Sequence, residues 1–204
     1  MTGTFNGLVL GLILTVMISP VFFSLINLSI SKGIEAGTMM IAGILAGNLI
    51  LFIFLLVGYD FTNHILQLKQ ILIFVSGIFL IISGISLIIK KEKIFFINQL
   101  INMGATKPLT IFTKGILLNI LNPFVLFFWL GIMCINFSNL KNSKNDFALM
   151  FLGALIIILF FDFLKVIFAN KIRDFINPKF LLWLNRITGI ALAIFGINLL
   201  VKIF

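Results

Sequence analysis

Gly77-Ile78-Phe79-Leu80-Ile81-Ile82-Ser83-Gly84-Ile85-Ser86-Leu87 returns near the C-terminus as Gly189-Ile190-Ala191-Leu192-Ala193-Ile194-Phe195-Gly196-Ile197-Asn198-Leu199. Seven of the eleven positions are identical, both glycines among them. Each copy lies inside a long apolar run, so the two read as corresponding membrane helices of two halves. Other features recur in the same order. Ser19-Pro20 interrupts the first apolar run and Asn122-Pro123 the fourth, while Asn48 sits in the second and Asp162 in the fifth.

The composition sets how many such helices there are. Of 204 residues 61% are hydrophobic and 10% charged, against about 45–50% and about 25% in a soluble domain. That is about 124 apolar residues, enough for roughly six bilayer spans at about 20 residues each. The mean hydropathy of +1.25 agrees. Apolar runs fall at 5–30, 38–58, 70–89, 111–137, 147–169 and 181–201, which predicts six transmembrane helices. Two halves of three spans each must be inverted relative to one another, because an odd number of crossings reverses the chain. The expected fold is all-α integral membrane, six transmembrane helices as two inverted three-helix repeats in a single domain, 1–204. The first repeat is 1–90, a surface loop 91–110, the second repeat 111–204. The loop opens with Lys90-Lys91-Glu92-Lys93 and continues with Ile94, Phe95, Phe96, Ile97, Leu100, Ile101 and Met103, a pattern suited to lying on a membrane surface. It ends at Lys107-Pro108, where the residue before proline disfavours helix.

Charge orients the spans. On one side stand Lys32, Lys90, Lys91, Lys93, Lys107, Lys114, Lys171, Arg173, Lys179 and Arg186; on the other stand Lys69, Lys141, Lys144 and Lys202. The positive-inside rule places the richer side in the cytoplasm and both termini outside. The segment Met1-Thr2-Gly3-Thr4-Phe5-Asn6 has no positive charge and leads into an apolar run too long for a signal peptide, so it reads as the start of a retained span. The net charge of +9 suits contact with anionic membrane lipid, and no nucleic acid is expected as a partner. One cysteine, Cys134, and one histidine, His64, leave no disulfide, thiol relay or metal site in view, so neither metal nor cofactor is expected. Asp60 and His64 fall at the outer end of the second span, where solvation accounts for them.

The candidate site residues are the polar groups inside the spans. Proline lacks an N–H and collides with the carbonyl four residues back, so Pro20 should free the carbonyl of Val16, and Pro123 that of Asn119. A freed carbonyl in hydrocarbon is costly unless it finds a partner. Such breaks suit a wet, buried site where half-helix N-termini can face a substrate carboxylate. Ser19, Pro20, Asn48, Asn122 and Pro123 are therefore the candidate substrate-binding residues. Asp162 is the only acid deep in a span, and a charge there is expensive. It is a candidate carrier of a proton. Lys165, three residues on, lies on the same helix face and can neutralise it. The pair is the candidate proton-coupling element. Glycines spaced by four (Gly3, Gly7, Gly11; Gly33, Gly37; Gly43, Gly47) permit close helix packing, within one chain or across a homodimer.

These residues resemble the lysine-exporter (LysE/RhtB) family of amino-acid translocators over nearly the whole chain. Ser19-Pro20 stands where that family commonly has Gly-Pro. Lys32-Gly33-Ile34-Glu35-Ala36-Gly37 looks like its Gly-x-x-Ala-Gly loop. Gly43-Ile44-Leu45-Ala46-Gly47-Asn48 looks like its Gly-x-x-x-Gly-Asp, with Asn48 in place of an Asp. Gly115 through Leu118 followed by Asn122-Pro123 looks like its Asn-Pro span. The resemblance implies export of an amino acid or close derivative across the cytoplasmic (inner) membrane by proton antiport. The small-molecule substrate and the proton would be the working partners, and no enzyme activity is implied. A divalent metal-ion exporter of related architecture and a non-transporting accessory subunit are the alternatives. The metal reading is short of ligands, since hard cations want several oxygens and softer ones want Cys or His.

Overall fold

The computed structural model describes residues 2–16, 20–62, 66–89, 107–138, 144–171 and 178–201. The described elements are helices: α1 Thr2–Val16, α2 Pro20–Thr62, α3 Leu66–Ile89, α4 Pro108–Ile120, α5 Pro123–Ser138, α6 Lys144–Ile167 and α7 Pro178–Val201. By length and apolarity three of them can cross a membrane: Val21–Gly58 within α2, Gln70–Ile89 within α3, and α6. The pair α4 and α5 makes a fourth if its 52° bend lies within one span. The expected surface stretch is outside the described residues except at its end, where helix begins at Pro108 rather than at 111.

A single residue gives α2 its shape. Drawn straight, its 43 residues would reach about 65 Å, twice the roughly 30 Å of a hydrocarbon core. Gly33 interrupts it with φ 82° and ψ −178°, a conformation essentially confined to glycine. The chain folds back there. A Cβ on Gly37 would collide with Ser29 Oγ, two positions that a straight helix would hold about 12 Å apart. The expected link between the first two spans is thus one residue, with helix running up to it on both sides.

Glycines record how the helices pair. Along α3 and α7, a Cβ on Gly77 would meet the Gly196 carbonyl, and one on Gly84 the Gly189 carbonyl. The partner number falls as the first rises, so these helices are antiparallel. Between α2 and α4, Gly43 abuts Gly115 and Gly47 abuts Asn119; between α1 and α6, Gly153 faces Gly7 and Gly11 faces Ala154 and Ile157. There the numbers rise together, so both pairs are parallel. Small residues let these backbones approach closely where lipid supplies no hydrophobic drive between helices.

The core has two apolar clusters. The larger includes Phe128, Trp129, Phe147, Phe151, Leu55 and Leu80. Its rings interlock, with Phe52 stacked on Phe151 at 4.6 Å, Phe128 stacked on Phe195 at 4.7 Å and Trp129 tilted against Phe151 at 4.3 Å. Ring pairs at such distances contribute about 0.5–1.5 kcal/mol each beyond their buried area. The smaller cluster joins Val21, Leu25, Leu28, Met40, Ile41 and Ile44 of α2 to Ile111 and Val166. Cys134 is fully buried in the larger one. The polar site lies between the two.

Candidate functional site

The break between α4 and α5 is built by Asn122 and Pro123. Pro123 opens α5, where its missing N–H is one that no helix would satisfy. Asn122 caps that helix: its Oδ1 accepts the Phe124 N–H at 3.2 Å, and its carbonyl accepts the Leu126 N–H at 3.2 Å. The carbonyl of Asn119, expected to be freed, instead accepts the Asn122 N–H at 3.2 Å. Tightening the last turn of α4 supplies the partner that the proline removes. This corrects the expectation at Pro123. The matching expectation for Pro20 and Val16 falls beside residues 17–19, outside the described ones, as does Ser19 itself. Pro20 is described only as the first residue of α2.

Beside the break between α4 and α5 lies a cavity of ≈ 60 Å³ lined by Thr15, Asn48, Asn119, Asn122, Asp162 and Lys165 among apolar neighbours. At about 10–15 Å³ per water this is room for roughly four to six waters, or for the five heavy atoms of an amino-acid head group. α1 and α2 contribute Leu14, Thr15, Val21 and Phe22; α2 beyond Gly33 adds Ile44 and Asn48; α4 and α5 add Val125 to the two asparagines; α6 adds Ile158 to the ion pair. Four sequence-predicted residues, Asn48, Asn122, Asp162 and Lys165, are therefore brought together from three separate runs of the chain. Pro123 acts through the break it makes and is not among the lining residues.

Asp162 and Lys165 form an ion pair, Nζ to Oδ1 at 2.8 Å. The carboxylate side chain is 6% exposed and the lysine 13%. The lysine does not snorkel away: its ammonium also stands 5.4 Å from the centre of the Phe22 ring, a favourable placement for a cation. Phe22 belongs to the first turn of α2, so this contact ties the start of α2 to α6. Two further lining groups are polar and buried without a hydrogen-bond partner, Thr15 Oγ1 and Asn119 Nδ2. Buried donors without partners are costly, and these two border the cavity, where a polar ligand can satisfy them. Sequence reading gave Asn119 only a minor place and passed over Thr15, Phe22 and the apolar lining. Asn119 and Asn122 lie three apart on either side of a break, a spacing that carries no helical-face signal once the helix bends.

Among the described residues no group of three or more His, Cys, Asp and Glu stands close enough to hold a metal ion. The side chains of Asp60 and His64 are outside the described ones.

No solved structure matches the chain. A Bacillus subtilis (strain 168) protein named "Putative amino acid efflux protein YcgF" is 33% identical over 87 residues, 42% of this chain and 42% of that relative. The shared stretch thus spans about two fifths of the relative's length. The model of the LysE type translocators matches residues 12–203. With the α4–α5 break, the cavity and the buried ion pair all falling inside that match, this chain belongs to the LysE type translocator family.

Proposed function

We propose that this protein is a secondary transporter that exports amino acids or close derivatives across the bacterial cytoplasmic membrane by proton antiport. The observation that carries the reading is the polar cavity beside the α4–α5 break, with one acid–base pair, three asparagines and Thr15 among apolar residues. A dry, close-packed centre would instead suit an accessory subunit. A metal exporter would want a cluster of oxygen, Cys or His ligands, and the lining offers one carboxylate.

Six spans in two inverted repeats are the architecture that this function uses. In it α1 with the start of α2 is the first span, α2 beyond Gly33 the second, and α3 the third. The bent pair α4–α5, α6 and α7 complete the set. Strict alternation makes α1 and α6 parallel, α2 beyond Gly33 and α4 parallel, and α3 and α7 antiparallel. The glycine registers agree with all three relations. They also agree with a two-fold axis, since exchanging Gly77 with Gly189 and Gly84 with Gly196 turns one α3–α7 contact into the other. The cytoplasmic side is the lysine-rich one, with both termini outside.

In the transport cycle the substrate enters from the cytoplasm and occupies the cavity. A proton entering from outside takes its turn on Asp162, and rocking of one repeat against the other exchanges access. Substrate and proton thus compete for one carboxylate, which links their opposite movements. The test is efflux from proteoliposomes loaded with a mixture of the twenty amino acids under an inward proton gradient, with the medium read by mass spectrometry. Selective release that stops when the gradient is collapsed is expected. Folded protein that releases no amino acid would overturn the reading.

A further inference from the structure

The Asp162–Lys165 pair has two features that a purely structural neutralisation does not need. It borders a cavity, and its ammonium is held from a second side by Phe22. The neighbouring polar groups are uncharged and incompletely partnered, Thr15 Oγ1 and Asn119 Nδ2. We propose that this ion pair is the recognition device for a zwitterionic head group, and that it selects amino acids with uncharged, aliphatic side chains. The inference rests on the amino-acid export reading above.

When the substrate enters, the pair at 2.8 Å opens and each member takes the substrate group of opposite charge. Lys165 receives the α-carboxylate and Asp162 the α-ammonium. Two charge-assisted contacts replace one, and the site stays neutral, so burial exposes no unpaired charge. The α5 N-terminus is a weaker candidate for the carboxylate, because its Phe124 N–H is already taken by Asn122. Asn119 Nδ2 can donate to the same carboxylate, and Thr15 Oγ1 can accept from the ammonium.

Charge count then sets the side-chain class. A substrate lysine or arginine would bring a second cation, and Asp162 is the only acid among the described lining residues; a substrate glutamate would need a second cation beside Lys165. The rest of the wall is Leu14, Val21, Phe22, Ile44, Val125 and Ile158, which favours apolar groups. A cavity of ≈ 60 Å³ is filled by the head group and a methyl or so, and longer aliphatic chains must spread into that wall.

The test is counterflow of labelled L-alanine into proteoliposomes holding the full chain, with unlabelled competitors. Alanine and valine should compete at least ~10-fold better than lysine and glutamate, and than ethylamine and propionate, which each keep one head-group charge. Lysine or glutamate competing as well as alanine, while counterflow itself works, would overturn this inference and leave amino-acid export standing. Ethylamine or propionate matching alanine would overturn the two-point recognition. No counterflow or efflux of any amino acid by folded protein would overturn both readings. A Lys165→Met variant adds a readout that a structural role would not move: the preference for alanine over ethylamine should collapse, because the substrate carboxylate loses its partner while the ammonium keeps Asp162. The wild-type competition series decides the question even if that variant does not fold.

Discussion

The balance at Asp162 is between two charges that a buried site cannot easily accommodate singly. Removing one partner of a buried ion pair leaves the other uncompensated, at a cost of about 3–5 kcal/mol, whereas removing both can be neutral. Lys165 keeps some exposure, which moderates the penalty. Asp162→Asn and Lys165→Met should therefore each lower the thermal unfolding midpoint in detergent, and the double variant should regain most of the loss. A double variant as unstable as the sum of the singles would mean that the two do not interact. At Asn122 the side chain caps α5, so Asn122→Ala should cost about 0.5–2 kcal/mol by the same thermal measurement. How much of the site was legible in sequence is clearest at this scale. An acid, an amide or a proline within an apolar run is visible because it is expensive there, and Asn48, Asn122, Asp162 and Lys165 were found that way. Phe22, Thr15 and Ile44 carry no such signal, since an aromatic, a hydroxyl or an aliphatic residue is ordinary in a membrane helix. Only three-dimensional proximity separates them from their neighbours.

Among the elements, α2 shows what periodicity leaves open. Apolar runs located its two helical stretches, but hydropathy does not say whether Lys32-Gly33 is a loop or a one-residue reversal. The answer lies in a backbone angle, φ 82°, that glycine alone adopts cheaply. A Cβ at Gly33 would meet nothing within 4 Å, so the cost of Gly33→Ala is backbone strain alone, on the order of 1–3 kcal/mol. The variant should unfold at lower temperature in proportion, and an unchanged midpoint would argue against the reversal. Gly84 tests the opposite situation. Its conformation is ordinary, but a Cβ would collide with the Gly189 carbonyl and crowd Ala193 of α7. Gly84→Val should force α3 from α7, with a loss of about 1–3 kcal/mol or more. The repeated Gly77–Leu87 and Gly189–Leu199 stretches were readable as a repeat because both must present glycine at the same seam.

For the whole molecule, orientation is the feature farthest from any local contact. The proposed orientation rests on the side of the membrane on which Lys and Arg accumulate. Cys134 is the sole cysteine and is fully buried, so single cysteines introduced at Lys141 and Lys171 can report location with little background. A membrane-impermeant maleimide applied to intact cells should label the first and spare the second; the reverse pattern would invert the topology and turn the expected direction of transport around. The broadest claim joins that orientation to the chemistry of the cavity: an amino acid leaves through the site where Asp162 stands. It is tested most directly by the initial rate of L-alanine efflux from proteoliposomes under an inward proton gradient, wild type beside Asp162→Asn, with equal amounts of monodisperse protein. Loss of at least ~10-fold in the variant, down to the rate seen when the gradient is collapsed, is the predicted result. Equal rates with the same dependence on the gradient would contradict the account.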